Sequence, residues 1–146
     1  MMSMATLKNK MNPEVKQKWI DALRSGDYEQ GSEKLRTPNG YCCLGVLCDL
    51  YAQEHDTQWE FRGYDELSDE TNPHPMDYWY FGDQSEFLPE SVMNWAGLKT
   101  HNPSVRVDVE DNDEDNWYFQ DEDEIANVND SGYTFMDLSK IIQEQF

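Results

Sequence analysis

The sequence predicts a single α+β domain organised around one buried helix. Three observations carry that expectation. Tyr41–Tyr51, YCCLGVLCDLY, is the longest apolar run in a polar chain and holds one charge, Asp49. Three other segments carry helix start and stop signals. Short aromatic and β-branched runs alternate with polar residues between turn signals, as strands do. At 146 residues the chain suits one domain. The expected architecture is a compact domain over 12–146, following a flexible N-terminus at 1–11. A buried central helix, three or four helices around it and a small antiparallel sheet complete it.

Within the central run, Leu44, Leu47, Cys48 and Tyr51 stand at i, i+3, i+4 and i+7, one face of a helix. Cys43, Val46 and Leu50 fill the opposite side. A helix apolar almost all round is a buried one. Gly45 costs such a helix about 1 kcal/mol relative to alanine, so it points to a close approach by a neighbouring element.

The remaining elements follow in chain order. Asn12-Pro13-Glu14 opens a helix: Asn caps, Pro is tolerated at the first helical position, and Glu complements the positive end of the dipole. Val15, Trp19, Ala22 and Leu23 form its apolar stripe, and Gly26 stops it near Ser25. Thr37-Pro38-Asn39-Gly40 reads as a tight turn. Trp59 and Phe61 alternate with polar residues, and Tyr78-Trp79-Tyr80-Phe81 is a second β-like run. Together they predict two strands, a hairpin with a long connection. Leu88–Leu98 is a short helix started at Pro89 and stopped at Gly97, with Leu98 folding back in a Schellman-type end. Ser104–Val109 alternates as a strand, and Trp117-Tyr118-Phe119 is expected to return antiparallel to it, with 111–116 as the turn. Asn129–Gly132 reads as a turn. Thr134 and Asp137 make a capping-box pair for a last helix whose inward stripe is Leu138, Ile141, Ile142 and Phe146.

Composition narrows the function classes. Aromatics make up 13% of the chain, enough rings to build a core despite 38% apolar content. The formal net charge is -19. Residues 1–36 carry seven Lys/Arg against five Asp/Glu, whereas residues 37–146 carry four against 25. Such a surface repels nucleic acid and anionic membranes and attracts basic protein faces, so direct nucleic-acid binding and a membrane role are not expected. The N-terminal residues lack a signal-peptide apolar region, and no stretch reaches membrane-span length. Cys42, Cys43 and Cys48 are odd in number and without Cys-x-x-Cys spacing, which suits reduced thiols in a cytoplasmic core. Neither they nor His55, His74 and His101 show metal-ligand spacing. No Ser-His-Asp order or phosphate loop appears, and a non-enzymatic role is expected.

Four blocks of this sequence resemble a group of small hypothetical proteins common in tailed phages and prophages. They are Trp19, the Tyr41–Tyr51 run, Leu88-Pro89 with Trp95-Ala96-Gly97-Leu98, and Val128–Phe135 (VNDSGYTF). They span about half the chain, and residues 52–87 and 99–124 lie outside them. The resemblance implies a virus-encoded protein of the host cytoplasm. It brings no activity and no catalytic residues.

The most pointed chemical feature is Asp108–Glu124, with ten acidic residues in seventeen and no basic one. Asp108, Glu110, Asp111, Asp113, Glu114, Asp115, Asp121, Glu122, Asp123 and Glu124 form the expected acidic hairpin, at about 104–124. Three readings stand. A rigid row of carboxylates can mimic a polyanion and enter a groove built for DNA or RNA. Asp111, Asp113, Asp115 and Glu122 fall at positions 1, 3, 5 and 12 of an EF-hand-like spacing, which offers calcium hard oxygen ligands, although Asn116 replaces the usual glycine. A solvated hairpin without a specific partner is the plain alternative. Separately, Trp59, Trp79 and Tyr80 supply rings, and Lys34, Arg36 and Arg62 cations, for a pocket that stacks a small nucleotide signal. The preferred expectation is a phage accessory protein that inhibits a host protein through its acidic face. The host protein presents a basic face and handles nucleic acid or serves defence. A nucleotide sponge and a calcium-binding loop protein are the alternatives.

Overall fold

A computed structural model describes residues 9–108 and 120–146. Helix α1 spans Pro13–Ser25. Asn12 Oδ1 accepts the N–H groups of Glu14 and Val15 at 2.9 and 3.3 Å, which satisfies donors that the first turn leaves without helical partners. Its buried face is Val15, Trp19, Ile20 and Leu23. Two short strands follow, β1 at Arg36–Thr37 and β2 at Gly40–Tyr41, paired antiparallel through the Pro-Asn turn.

Helix α2, Cys43–His55, is the central element. Every residue from Cys42 to Cys48 is buried, and the three cysteines are free thiols. Trp19 reaches it from α1, donating from Nε1 to the carbonyl of Cys43 at 2.9 Å. Gly45 lies against the backbone of Leu35: a Cβ here would overlap the Leu35 carbonyl oxygen. The close approach expected of this glycine is therefore real, and it is what lets the 35–41 segment pack onto the helix.

Strands β3, Glu60–Arg62, and β4, Tyr78–Tyr80, pair antiparallel with Phe61 opposite Trp79. They form the hairpin with the long connection. Helix α3, Glu90–Ala96, closes as expected. Gly97 adopts a left-handed conformation, φ 76°. Its N–H donates to Asn94 O, and the N–H of buried Leu98 to Met93 O. Tyr51 of α2 meets Trp95 of α3 edge-to-face at 5.4 Å.

Strand β5, Ser104–Asp108, pairs antiparallel with β6, Gln120–Glu124. The returning strand described is thus QDEDE, downstream of the expected Trp117–Phe119, which lies outside the described residues. Four consecutive carboxylates disfavour a strand on propensity alone. What holds β6 is its partner: Val105 of β5 is fully buried, and Arg106 stands opposite Glu122.

Helix α4, Ile125–Asp130, was not expected. Its first amides are satisfied from outside, Ile125 N–H by the carbonyl of Pro103 at 2.8 Å and Ala126 N–H by Asn102 Oδ1 at 3.1 Å. Helix α5, Phe135–Gln145, carries the full capping box: Asp137 N–H donates to Thr134 Oγ1, and Thr134 N–H to Asp137 Oδ2. It packs along α1, where Trp19 meets Phe146 edge-to-face at 5.7 Å.

The described residues therefore form an α+β domain of five helices and three separate two-stranded antiparallel sheets. Residues 9–11, assigned to the flexible tail on sequence, are tied in. Asn9 N–H donates to Gln145 O at 2.6 Å, and Met11 is buried.

Candidate functional site

The β5–β6 pair is fixed at one edge. Gln145 of α5 clamps the outer edge of β5: its Oε1 accepts Arg106 N–H at 2.8 Å, and its Nε2 donates to Arg106 O at 2.7 Å. Asn9 Nδ2 donates to Ser104 O beside it. Side-chain amides thus cover an edge that would otherwise offer free backbone groups to another chain.

Among the expected acidic residues, Glu122 and Glu124 are exposed on β6, and Asp123 is half-buried. Asp123 Oδ1 accepts Glu124 N–H and Asn127 Nδ2–H at 2.8 and 3.1 Å, so this carboxylate steadies the entry to α4. Asp108 and Asp121 sit on β5 and β6. Glu110, Asp111, Asp113, Glu114 and Asp115 lie outside the described residues. The calcium spacing thus has one ligand candidate in view, Glu122, on a strand. The flanks of that loop are strands and not the helices of an EF-hand. Among the described residues, no three His, Cys, Asp or Glu side chains gather as metal ligands.

The aromatic and basic residues resolve into three separate contacts. Arg36, Trp59 and Trp79 do meet. The Arg36 guanidinium lies 4.4 Å from the Trp79 ring centre, 5.3 Å from that of Tyr41 and 5.6 Å from that of Trp59. Three electron-rich faces thus surround a cation that belongs to the fold. Lys34 instead stands 4.6 Å over Tyr78 and pairs with Glu86 at 3.3 Å. Arg62 covers Tyr80 at 4.9 Å and approaches Glu60 at 3.4 Å.

Next to the Arg36 cluster, Asp49 explains the one charge in the apolar run. Its Oδ1 accepts Trp59 Nε1–H at 3.1 Å, and its Oδ2 accepts Tyr28 O–H at 2.5 Å and Gln53 Nε2–H at 3.1 Å. Burial, then the hydrogen bond to Asp49, raises the Tyr28 phenol well above its ordinary value, so this hydroxyl stays a donor.

The central cysteines are inert by the same physics. Burial pushes the Cys42 thiol up to about 12 and raises Cys43 and Cys48 well above the ordinary thiol range. The thiolate is the reactive form, and at neutral pH the folded chain does not present it.

One feature escaped the sequence reading. Gln30–Glu33, Asn129, Asp130 and Gly132–Thr134, with Thr37, Asn39 and Pro75, line an open polar cleft of about 440 Å³. Asn129 is its buried hub, 4% exposed. Its Oδ1 accepts Cys43 N–H at 3.2 Å and Gln30 Nε2–H at 3.0 Å. Its Nδ2 donates to Gly31 O and Asp130 Oδ1 at 2.9 and 3.0 Å. Asp130 also accepts Glu33 N–H on both oxygens and so supports the left-handed backbone of Glu33, φ 73°. The only sequence signal was the polar Asn-Asp-Ser-Gly run beside apolar residues.

Fold and site together define a small acidic α+β domain in which Lys34, Arg36 and Arg62 each cover aromatic rings of the same chain. Residues 11–146 match the model of a family described as a domain of unknown function, DUF8296. The chain belongs to that family. No curated protein and no solved structure matches it. Among the described residues, no helix is long and apolar enough to cross a membrane.

Proposed function

We propose that this chain is a non-catalytic accessory protein that binds a basic face of another protein and blocks it. The observation that carries this reading is the unequal use of charge. Lys16 Nζ donates to Phe146 O, Lys18 pairs with Glu54, and Arg24 donates to Ser139 and Gln143. Lys34, Arg36 and Arg62 are engaged as described above. The sequence holds 30 Asp and Glu against 11 Lys and Arg, and six of those cations already have the partners named here. A field of this sign speeds encounter with basic surfaces and penalises anionic ones.

The clamp of Gln145 on β5 supports a specific use, because carboxylates on a fixed base lose less entropy on binding than carboxylates on a loose one. The resemblance to small phage proteins supports a host protein, in the host cytoplasm, as the target. Mimicry of nucleic acid is the form of inhibition that a row of carboxylates suits. The separate ring contacts of Lys34, Arg36 and Arg62 favour this reading over a nucleotide site, which would need those cations gathered on phosphate.

The test is a pull-down from host lysate at low and high salt. A partner retained at low salt and released at high salt is expected. Replacing Asp111, Asp113, Asp115 and Glu122 with Asn or Gln abolishes its capture. Undiminished capture by that variant at both salts would sink the proposal.

A further inference from the structure

The connection between β3 and β4, residues 63–77, forms a loop held rigid by its own carboxylates. Asp77 is 1% exposed. Its Oδ1 accepts Tyr64 N–H and its Oδ2 accepts His74 N–H, both at 2.6 Å, which ties the two ends of the loop together. Asp65 Oδ1 accepts Leu67 N–H at 2.9 Å and Ser68 Oγ–H at 3.3 Å. Asp69 Oδ1 accepts from Thr71 N, Thr71 Oγ1 and Asn72 N at 2.6 to 2.9 Å. His74 stacks on Tyr64 at 4.6 Å, and its Nδ1 accepts Met76 N–H at 3.0 Å.

This ordered loop exposes apolar side chains. Leu67 is 89% exposed, Met76 62% and Tyr64 59%. Of the five large hydrophobic residues exposed among those described, three lie within residues 64–76. One exposed leucine has no special meaning, but a concentration of this kind marks an interaction surface. The formal charge within the loop is of one sign. Asp65, Glu66, Asp69 and Glu70 share the loop, and residues 63–77 contain no Lys or Arg. Pro75 also lines the polar cleft that carries Glu33 and Asp130, so the two features adjoin.

We propose that the 63–77 loop is a docking epitope for a partner protein whose surface offers an apolar pocket rimmed by Lys and Arg. Leu67 is the anchor, and Asp65, Glu66, Asp69 and Glu70 meet the basic rim. A second copy of this chain does not fit, because each copy brings a net charge of -19 and the epitope itself is anionic. A rigid, pre-ordered loop keeps more of its contact energy as affinity. The inference rests on the proposed binding of a basic partner and names where its apolar contact is made.

The experiment places the photo-crosslinker p-benzoylphenylalanine at position 67 of the full chain, and separately at exposed Gln17 and at Asn112. Irradiation in a bacterial lysate is followed by mapping of the crosslinked peptides. The expected result is an adduct at 67, absent at 17, in a partner segment that combines Lys/Arg with apolar residues. With that partner purified, Leu67→Ser weakens binding at least about tenfold, while the thermal midpoint of the chain is unchanged because Leu67 is exposed. An adduct with a second copy, an adduct in a segment without basic residues, no adduct at 67, or unchanged affinity of Leu67→Ser each overturns the epitope. Crosslinking at 112 but not at 67 removes the epitope and leaves the acidic-hairpin reading standing. Crosslinking at 67 with full binding by the neutralised hairpin variant does the reverse.

Discussion

Asn129 accepts the backbone N–H of Cys43 at 3.2 Å, so a side chain 86 residues downstream caps the first turn of the central helix. Cys42, at the cap position itself, makes no such bond. The helix that anchors the core therefore depends on the 129–135 segment for its start. Replacing Asn129, itself 4% exposed, with Ala takes the side-chain partner from Cys43 N–H and Gly31 O and one of two acceptors from Gln30 Nε2, which keeps Tyr133 O. A loss of about 2–4 kcal/mol in urea unfolding is expected, because buried partners are left unpaired.

Gly45→Ala is expected to destabilise the chain by at least about 2 kcal/mol, although alanine is the better helix former by about 1 kcal/mol. The added methyl overlaps the Leu35 carbonyl oxygen, and backbone on both sides cannot retreat without opening the core. Denaturant midpoints of Gly45→Ala and of an exposed-face control, Gln17→Ala, separate the two effects.

Arg36→Met keeps length and apolar reach and removes the charge among Tyr41, Trp59 and Trp79. About 1–2 kcal/mol of stability should be lost, with a change in tryptophan emission. Arg36→Lys restores charge without the planar stack and is expected to recover part of the loss. Equal stability for all three chains would show that the rings need no cation.

Acid acts on the 63–77 loop through Asp77. Burial opposes its ionisation most, but the hydrogen bonds from Tyr64 N–H and His74 N–H, with the Ser68 hydroxyl and His74 nearby, outweigh burial and lower its pKa below the ordinary 3.8. A carboxyl held low when folded contributes stability in full above its unfolded value. The contribution fades as pH falls through the folded one. Protection factors of the Tyr64 and His74 amides in hydrogen exchange should fall below about pH 4, ahead of those in α2. Asp77→Asn should remove that pH dependence.

Native thiols should resist iodoacetamide at mildly alkaline pH. Cys42 ionises only near 12 when folded, and all three cysteines are buried. Labelling measured across a urea series should coincide with unfolding. Stoichiometric labelling of the native chain would contradict the inert-core assignment.

The elements that could be read in the sequence are those whose signals are local. Asn12, Gly26, Thr134 and Asp137 lie within a turn of the helices they bound, and the Thr37–Gly40 turn closes the strands it touches. Helix α4 was not legible because six residues show less than two turns of period, and its first amides are satisfied by Asn102 and Pro103. The cleft joins Gln30 to Tyr133, 103 residues apart, a distance no local pattern spans. Ring and cation types were legible at Arg36, Trp59 and Trp79. That Arg36 fills the space between the rings follows from β1 packing beside β4, which is tertiary information.

The two hydrogen bonds from Gln145 to the Arg106 backbone also have a mechanical consequence. Gln145 ends α5, which packs along α1 and is held there by Lys16 on Phe146 O and Arg24 on Ser139. Tension applied to the acidic strands is thus delivered to the end of a helix and shared with a second helix, in parallel with the β-ladder. A partner that pulls on these strands therefore loads the α1–α5 seam as well as the β-ladder.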